Sequence, residues 1–545
     1  MTQLQIINLI NPLTLLIIPL LGSIVILIYP TRTSLQDIFH NNLKNQKESV
    51  TLKLDSLSLT STIQEMGNTT INPFPINTLS VENKEITLKK IALITSFINL
   101  LLSILMWIQF DPNYIGYQFV TEFDKIGFLQ LNFGVDGISL YFILLTTLIT
   151  PIALLSSHNE ITKNLKFYLV CILLLETLQI AVFVSLDLLL FYVFFESVLI
   201  PLFLIIGVWG ASEAKTRAAF LLFLYTLFGS LWMLLAILYI YSQLGSTDFT
   251  LLSVTEISLE SQKVLWLAFF IAFAIKTPLW PFTGWLFRAH VEAPLSGSVI
   301  LAAVILKLAT YAYLRILISF LPDASHFYGP LVQGICIITL IYASLSALRS
   351  HDSKALVALS SISHCALIVL GLFSNTVIGI EGALILSLAH GFVSPALFIC
   401  VGGIIYVRLH TRIIPYIRGL TTYMPVFAIL FLIFTLSNAS IPLTAGWVGE
   451  QLCLIGIFDR SPVVSALGAT SIFLTACYSV FLFNRLSFGA YSQYLKPIKD
   501  LDRREFITLI SLLIPTIVFG IWPNFILDYL HLSTGNLIYF IPLIV

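Results

Sequence analysis

Fourteen times along its 545 residues the chain presents roughly twenty mostly apolar residues in a row, the length an α-helix needs to cross a bilayer. The windows fall at about 8–29, 89–110, 137–157, 166–186, 188–208, 217–241, 262–285, 297–320, 329–348, 354–374, 379–407, 424–457, 464–487 and 506–522. Lipid offers backbone groups no hydrogen bonds, so such windows must satisfy their own N–H and C=O groups as helices. The expected fold class is an all-α polytopic membrane protein with fourteen transmembrane helices. Composition agrees. Hydrophobic residues make up 58% and charged residues 10%, against about 25% charged in a soluble domain. Lys+Arg and Asp+Glu both number 28, so the basic surplus of a nucleic-acid binder is missing.

Cys171, Cys336, Cys365, Cys400, Cys453 and Cys477 all lie in apolar runs, with no C-x-x-C pair and no His/Cys cluster at metal-ligand spacing. They read as small packing residues. No G-x-G-x-x-G or Walker lysine loop is present. No cofactor or metal is therefore expected in this chain, and any redox chemistry belongs to partner chains.

The organisation expected is helix 1 in 1–31, a polar insertion at 32–88, helices 2 and 3 in 89–165, a first repeat at 166–320, a second at 329–487, and helix 14 with a C-terminal tail at 506–545. The first segment is too long for a secretory signal and lacks its basic start. Residues 32–88, rich in Ser, Thr, Asn, Lys and Glu, read as a tolerated loop insertion. Apart from that loop, fifteen Lys and Arg follow odd-numbered segments and four follow even-numbered ones. This positive-inside asymmetry puts the long loop inside and both termini outside.

Two bases fall within apolar segments: Lys276 in WLAFFIAFAIKTPLWPFTGWL and Lys307 in SGSVILAAVILKLATYAYLR. Lys307 lies ten residues beyond Gly297, about 15 Å deep at 1.5 Å per residue. Arg315, two turns further on, is expected to reach the interface by snorkelling. An intramembrane lysine costs at least about 2.5–3.5 kcal/mol, so it marks function by default. Glu196 lies nine residues past Asp187, about 13 Å deeper, and Asp187 itself is placed as a helix cap. Glu450 follows a helix break, Glu176 is deep without distinctive neighbours, and His364 and His390 are buried as well. Together they suggest a relay.

Pro278 and Pro281 follow Lys276, and Pro442 closes Ser437-Asn438-Ala439-Ser440-Ile441. Each proline removes a backbone donor. Broken helices 7 and 12, five apart, point to two inverted five-helix repeats, helices 4–8 and 9–13, with an ion site near the midplane. Pro201 and Pro395 are candidates for bending their own helices. Burial disfavours the charged form of a group and an opposite charge restores it. A Glu196–Lys276 pair that opens and closes would thus load and unload a proton.

On LLLFYVFFESVLIPLFLIIGVWG, FAIKTPLWPFTGWLFRAHVEAPLSGSVILAAVILKLATYAYLR, ALVALSSISHCALIVLG, LAHGFVSPALF, AGWVGEQLCLIG and FLFNRLSFG, the chain resembles the subunit 4 family of NADH dehydrogenase (ubiquinone). That family is one of the antiporter-like membrane subunits of mitochondrial respiratory complex I. The resemblance spans roughly residues 90–530. It implies a fourteen-helix proton-translocating subunit that itself binds no NADH, flavin, iron–sulfur cluster or quinone. By motif, the family's helix 5 glutamate matches Glu196, its broken-helix lysine Lys276 and its helix 8 lysine Lys307. Its helix 10 and 11 histidines match His364 and His390, and its helix 12 acid matches Glu450. Leu295-Ser296, Ala303 and Ala309 depart from the commoner pattern around Lys307. The resemblance further implies neighbouring antiporter-like subunits and phospholipids as partners, the inner membrane of a fungal mitochondrion as location, and no nucleic acid. The alternatives are a subunit of a multi-subunit cation/proton antiporter, which predicts sodium-dependent transport without NADH, and a structural spacer, which predicts replaceable buried charges.

Overall fold

The computed structural model describes residues 11–29, 78–123, 130–492 and 498–538. The described parts of the apolar windows are mostly helical. The order is α1 (Pro12–Ile28), α2 (Thr78–Gln109), α3 (Gly137–Ser156), α4 (Leu165–Val184), α5 (Leu188–Trp209) and α6 (Lys215–Leu244). It continues with α7a (Leu259–Lys276), α7b (Gly284–Glu292), α8 (Leu295–Ile318), α9 (Pro322–Arg349), α10 (Ser353–Leu372) and α11 (Val377–Leu409). The last are α12a (Pro425–Asn438), α12b (Ala445–Arg460), α13 (Pro462–Ser487), α14 (Arg503–Ile521) and α15 (Asn524–Ile538). Among the described residues, 11 helices are long and apolar enough to cross a membrane. The segments outside that number are the 17-residue α1 and the two broken ones, α7 and α12. This is a helical membrane protein.

Aspartates start several of these helices. Asp136 accepts from Ser139 N–H while the Ser139 hydroxyl accepts from Asp136 N–H, a reciprocal capping box. Asp187 and Asp352 cap α5 and α10 in the same chemical sense. A short antiparallel pair, β1 (Gln118–Thr121) and β2 (Phe133–Val135), joins α2 to α3.

Both expected breaks are present, and their freed backbone groups find new partners. After α7a, Leu279 N–H bonds Ala274 O at 2.9 Å, the Trp285 indole N–H takes Ile275 O at 2.8 Å, and Trp280 N–H bonds the Thr339 hydroxyl of α9 at 2.8 Å. Between α12a and α12b, Ser440 and Leu443 adopt φ of 54° and 75°, left-handed geometry that costs a non-glycine residue about 1–3 kcal/mol. The break nests against α14 because residue 520 is glycine. A Cβ there would lie 2.3 Å from Leu443 O. Pro201 and Pro395 also perturb their helices: α5 is interrupted at Val198, and a π-helical stretch Ile399–Ile405 follows Pro395.

Four expectations need correction. The polar insertion does not run to 88, because α2 already begins at Thr78; residues 30–77 of that insertion lie outside the described residues. The tail after helix 14 contains a further helix, α15, docked by the Tyr141 hydroxyl donating to Phe525 O at 2.7 Å. Arg315 does not snorkel. It is 6% exposed and bonded to Asp136 Oδ2 at 2.5 Å. Lys354, counted among the loop bases, is also buried, with Nζ donating to Ala293 O at 2.7 Å. Removing both from the charge count leaves fourteen against three, so the asymmetry stands.

Candidate proton-carrying site

The helices that bear most of the titratable groups are the most central ones. α8 and α11 are buried along their whole apolar windows, while α2 and α14 are largely exposed. The close crossing of α11 and α12b comes from small residues. A Cβ on Gly382 would sit 2.5 Å from Cys453 N. That crossing brings the acid of α12b within reach of the histidines.

Lys307 in α8 donates to His390 Nδ1 at 2.6 Å and to Ala302 O, one turn back, at 2.6 Å. Ala302 belongs to a π-helical stretch, Leu301–Ile305, where the backbone register is loosened and carbonyls become available. The His390 ring centroid lies 5.6 Å from that of His364. His364 Nδ1 is 3.4 Å from Glu450 Oε1. All four side chains are at most 5% exposed. Beside them, at the α12 break, is a small cavity lined by His364, His390, Ser437, Asn438, Ser440 and Gly446, with about 10 Å³ for a water's centre. That is room for one water. Among the described residues, His364 Nε2, His390 Nε2 and both Glu450 oxygens have no hydrogen-bond partner, so the line holds open donor and acceptor capacity.

Glu196 and Lys276 form a separate, open arrangement. Lys276 Nζ donates to Phe195 O at 2.9 Å and sits 3.5 Å from the centre of the Phe195 ring. Among the described residues no ion pair within 4.0 Å joins it to Glu196, whose Oε1 is buried without a partner. The direct pair expected from the sequence is therefore not closed here. The lysine is held by a carbonyl and an aromatic face, which satisfy a cation without a counter-charge. The prolines Pro278 and Pro281 lie between α7a and α7b, and Pro442 lies between α12a and α12b. Lys276 thus ends a broken helix, and Glu450 sits in the first two turns of one.

Asp187 accepts from Leu190 N–H at 2.8 Å and from the Thr247 hydroxyl at 2.5 Å, so it is a helix cap. Burial holds its carboxyl above the usual aspartate value, with the Thr247 and Leu190 bonds pulling the other way. Glu176 is fully buried in α4, with Oε1 accepting from Asn99 of α2 at 2.7 Å. It stands apart from the Lys307 line. Around Lys307 the departures are packing residues. Ala303 and Ala309 are fully buried, and the Ser296 hydroxyl pairs with that of Tyr168.

Sequence reasoning missed several buried titratable residues, among them Asp136, Glu381 and His290. His290 in α7b is 0% exposed, lies 4.6 Å from the parallel ring of Phe398, and has neither ring nitrogen partnered among the described residues. Its place in the last turn of the second half of a broken helix was the available signal. Glu160, in the turn between α3 and α4, lines a cleft of about 380 Å³ with Leu295, Ile399 and Arg408. Although the side chain is exposed at the cleft, partial desolvation there raises its carboxyl above the ordinary range, and the ammonium of Lys354 opposes that shift.

The model of the family described as "NADH:quinone oxidoreductase/Mrp antiporter, TM" matches residues 185–475. The chain belongs to this family. It is 61% identical over 483 residues to NADH-ubiquinone oxidoreductase chain 4 of Mycosarcoma maydis, spanning 89% of this chain and 99% of that one. To NADH-quinone oxidoreductase subunit M of Rickettsia typhi it is 43% identical over 470 residues, spanning 85% and 94%. Among solved structures, a chain of respiratory complex I from Thermus thermophilus with bound NADH superposes with a TM-score of 0.77 at 29% identity, covering 83% of this chain and 94% of that one. A chain of the Mrp complex from Dietzia sp. DQ12-45-1b shares the fold, with a TM-score of 0.75 at 19% identity over 84% and 94%.

Proposed function

We propose that this chain is a proton-translocating membrane-arm subunit of NADH:ubiquinone oxidoreductase, moving protons through buried Glu, Lys and His side chains while quinone is reduced elsewhere in the complex. The observation that carries this reading is the succession of neighbouring titratable groups from Lys307 through His390 and His364 to Glu450, beside a water-sized cavity at a helix break. A proton can pass along such a line only between groups that both bind and release it, which lysine, histidine and glutamate do. In this reading Glu196 and Lys276 form the second loading element, and the open pair is one of its two positions. Flavin, iron–sulfur clusters and quinone belong to partner subunits, and this chain contributes no redox site.

The reading extends to architecture and place. Fourteen helices cross the mitochondrial inner membrane, α4–α8 and α9–α13 form inverted repeats, and both termini face the intermembrane space. The breaks in α7 and α12 and the distribution of bases support this. Neighbouring antiporter-like subunits and phospholipids cover the exposed apolar faces.

The test uses the assembled complex with Glu196→Gln or Lys276→Met. NADH oxidation by a soluble artificial acceptor should stay near normal, whereas ubiquinone-linked turnover and proton pumping fall together. Normal pumping per electron in the Lys276 variant would reduce that lysine to a structural partner. Sodium-dependent transport without NADH would favour the antiporter reading.

A further inference from the structure

On the side of Lys307 facing away from the basic loops, α8 continues into Tyr311 and Arg315, four and eight residues on. Tyr311 sits in a box of aromatic rings from three other helices. Phe183 of α4 lies 5.3 Å away and Phe142 of α3 6.2 Å away, with Phe191 of α5 at 6.4 Å. Phe142 and Phe183 stack at 5.2 Å, and none of the four is more than 1% exposed. Four helices thus meet in rings that leave water no polar partner. The Tyr311 hydroxyl donates to Phe183 O and accepts from Arg315 Nε, both at 3.1 Å, so its one proton points away from the Lys307 line.

Arg315 completes the closure. Its Nη2 meets Asp136 Oδ2 at 2.5 Å, and its Nη1 donates to the Tyr117 hydroxyl at 3.3 Å. Asp136 is fixed in turn by the capping box at the start of α3. An arginine does not release its proton in a protein, so this residue cannot pass one on and must move for anything to go by. A buried ion pair is seldom the most stable way to fill a core, since apolar residues of similar volume often do as well. What such a pair supplies is a defined closed position that breaks as a unit.

We infer that the aromatic box and the Arg315–Asp136 pair form the gate that closes the Lys307 line towards the face opposite the basic loops. This rests on the proton-translocating reading above. The opposite side is built differently, with the solvent-sized cleft at Glu160 and Leu295 reaching the start of α8. Opening requires Arg315 to leave Asp136, which frees the Tyr311 hydroxyl and lets water from the far face reach Lys307.

The experiment measures passive proton flux down an imposed gradient through the complete complex in sealed vesicles, without NADH, and then protons pumped per electron with NADH. Three variants probe the gate. Phe183→Ala opens the box, Asp136→Asn with Arg315→Gln removes both charges together, and Tyr311→Phe deletes one oxygen and leaves the packing intact. Passive flux should rise about threefold to tenfold in Tyr311→Phe, the shift that losing one hydrogen bond makes in an opening equilibrium. It should rise further in the other two, and protons per electron should fall while electron transfer to a soluble acceptor holds. Adding Lys307→Met should suppress the leak. Unchanged flux in Tyr311→Phe together with whichever other variant assembles would overturn the gate, whatever Lys307→Met does to pumping. A leak that Lys307→Met fails to suppress would separate the barrier from the proposed line, overturning the gate as stated here. Loss of pumping by Lys307→Met alone, with no leak in any gate variant, would leave the proposed function standing and the gate refuted.

Discussion

Lys307 Nζ and His390 Nδ1 lie 2.6 Å apart across 83 residues of sequence. At that distance one hydrogen bond joins two groups that each bind and release a proton, and it holds a single proton between them. Both are carried by helices whose apolar windows are buried throughout, and both side chains are themselves buried, so bulk water cannot neutralise a charge there. Moving a proton onto this pair must therefore be answered by His364 and Glu450 beyond it.

Lys307→Arg separates a charge-carrying role from a proton-carrying one. Arginine keeps the positive charge and much of the length but does not deprotonate. Ubiquinone-linked proton pumping should fall about as far as in Lys307→Met, tenfold or more by the scale of lost acid–base groups. Rescue of pumping by arginine, measured in the assembled complex in vesicles, would make Lys307 a fixed structural cation.

Asp187→Asn should be mild. The amide oxygen can still accept from Leu190 N–H, and the Thr247 contact can reverse its donor. Burial raises the folded-state pKa of Asp187, so ionising it costs stability as pH rises above the unfolded value of about 3.8–3.9. The amide removes that cost. Thermal stability at pH 7 should equal or exceed the parent's, with pumping per electron unchanged. A clear loss of either would show the carboxylate to be needed as a charge.

Gly520→Ala should destabilise the α12 break. Its new Cβ would fall 2.3 Å from Leu443 O and 2.5 Å from Thr444 C, both backbone atoms. Overpacking of this kind costs about 1–3 kcal/mol. The left-handed Ser440 and Leu443 leave the break little room to shift. Lower yield of assembled complex and a lower unfolding temperature are expected. Normal values for both would show that α14 moves aside.

Topology is testable by access. If the basic loops face the matrix, protease added to intact mitoplasts should spare residues 32–77, 209–216 and 488–505, and cut or label them only after the membrane is opened. Cleavage within 32–77 from the outside of sealed mitoplasts would invert the proposed orientation.

Much of this fold was legible because its causes are local. In lipid a run of twenty apolar residues has no structure open to it but a helix, and among the described residues 11 helices are long and apolar enough to cross a membrane. Pro278, Pro281 and Pro442 remove specific backbone donors, and the breaks appeared at them. A lysine, histidine or glutamate within such a run is visibly out of place, which is why Lys307, His364, His390 and Glu450 could be named without coordinates. Tertiary structure alone decided which of these groups meet. Hydropathy reads along one helix, whereas contact depends on how each helix is rotated about its axis and how closely small residues let it approach. Those rotations placed His390 on Lys307, held Lys276 on Phe195 instead of Glu196, and drew Arg315 and Lys354 inward to Asp136 and Ala293. The partners of Arg315 and Lys354 lie 179 and 61 residues away, and no period in the sequence encodes such a distance.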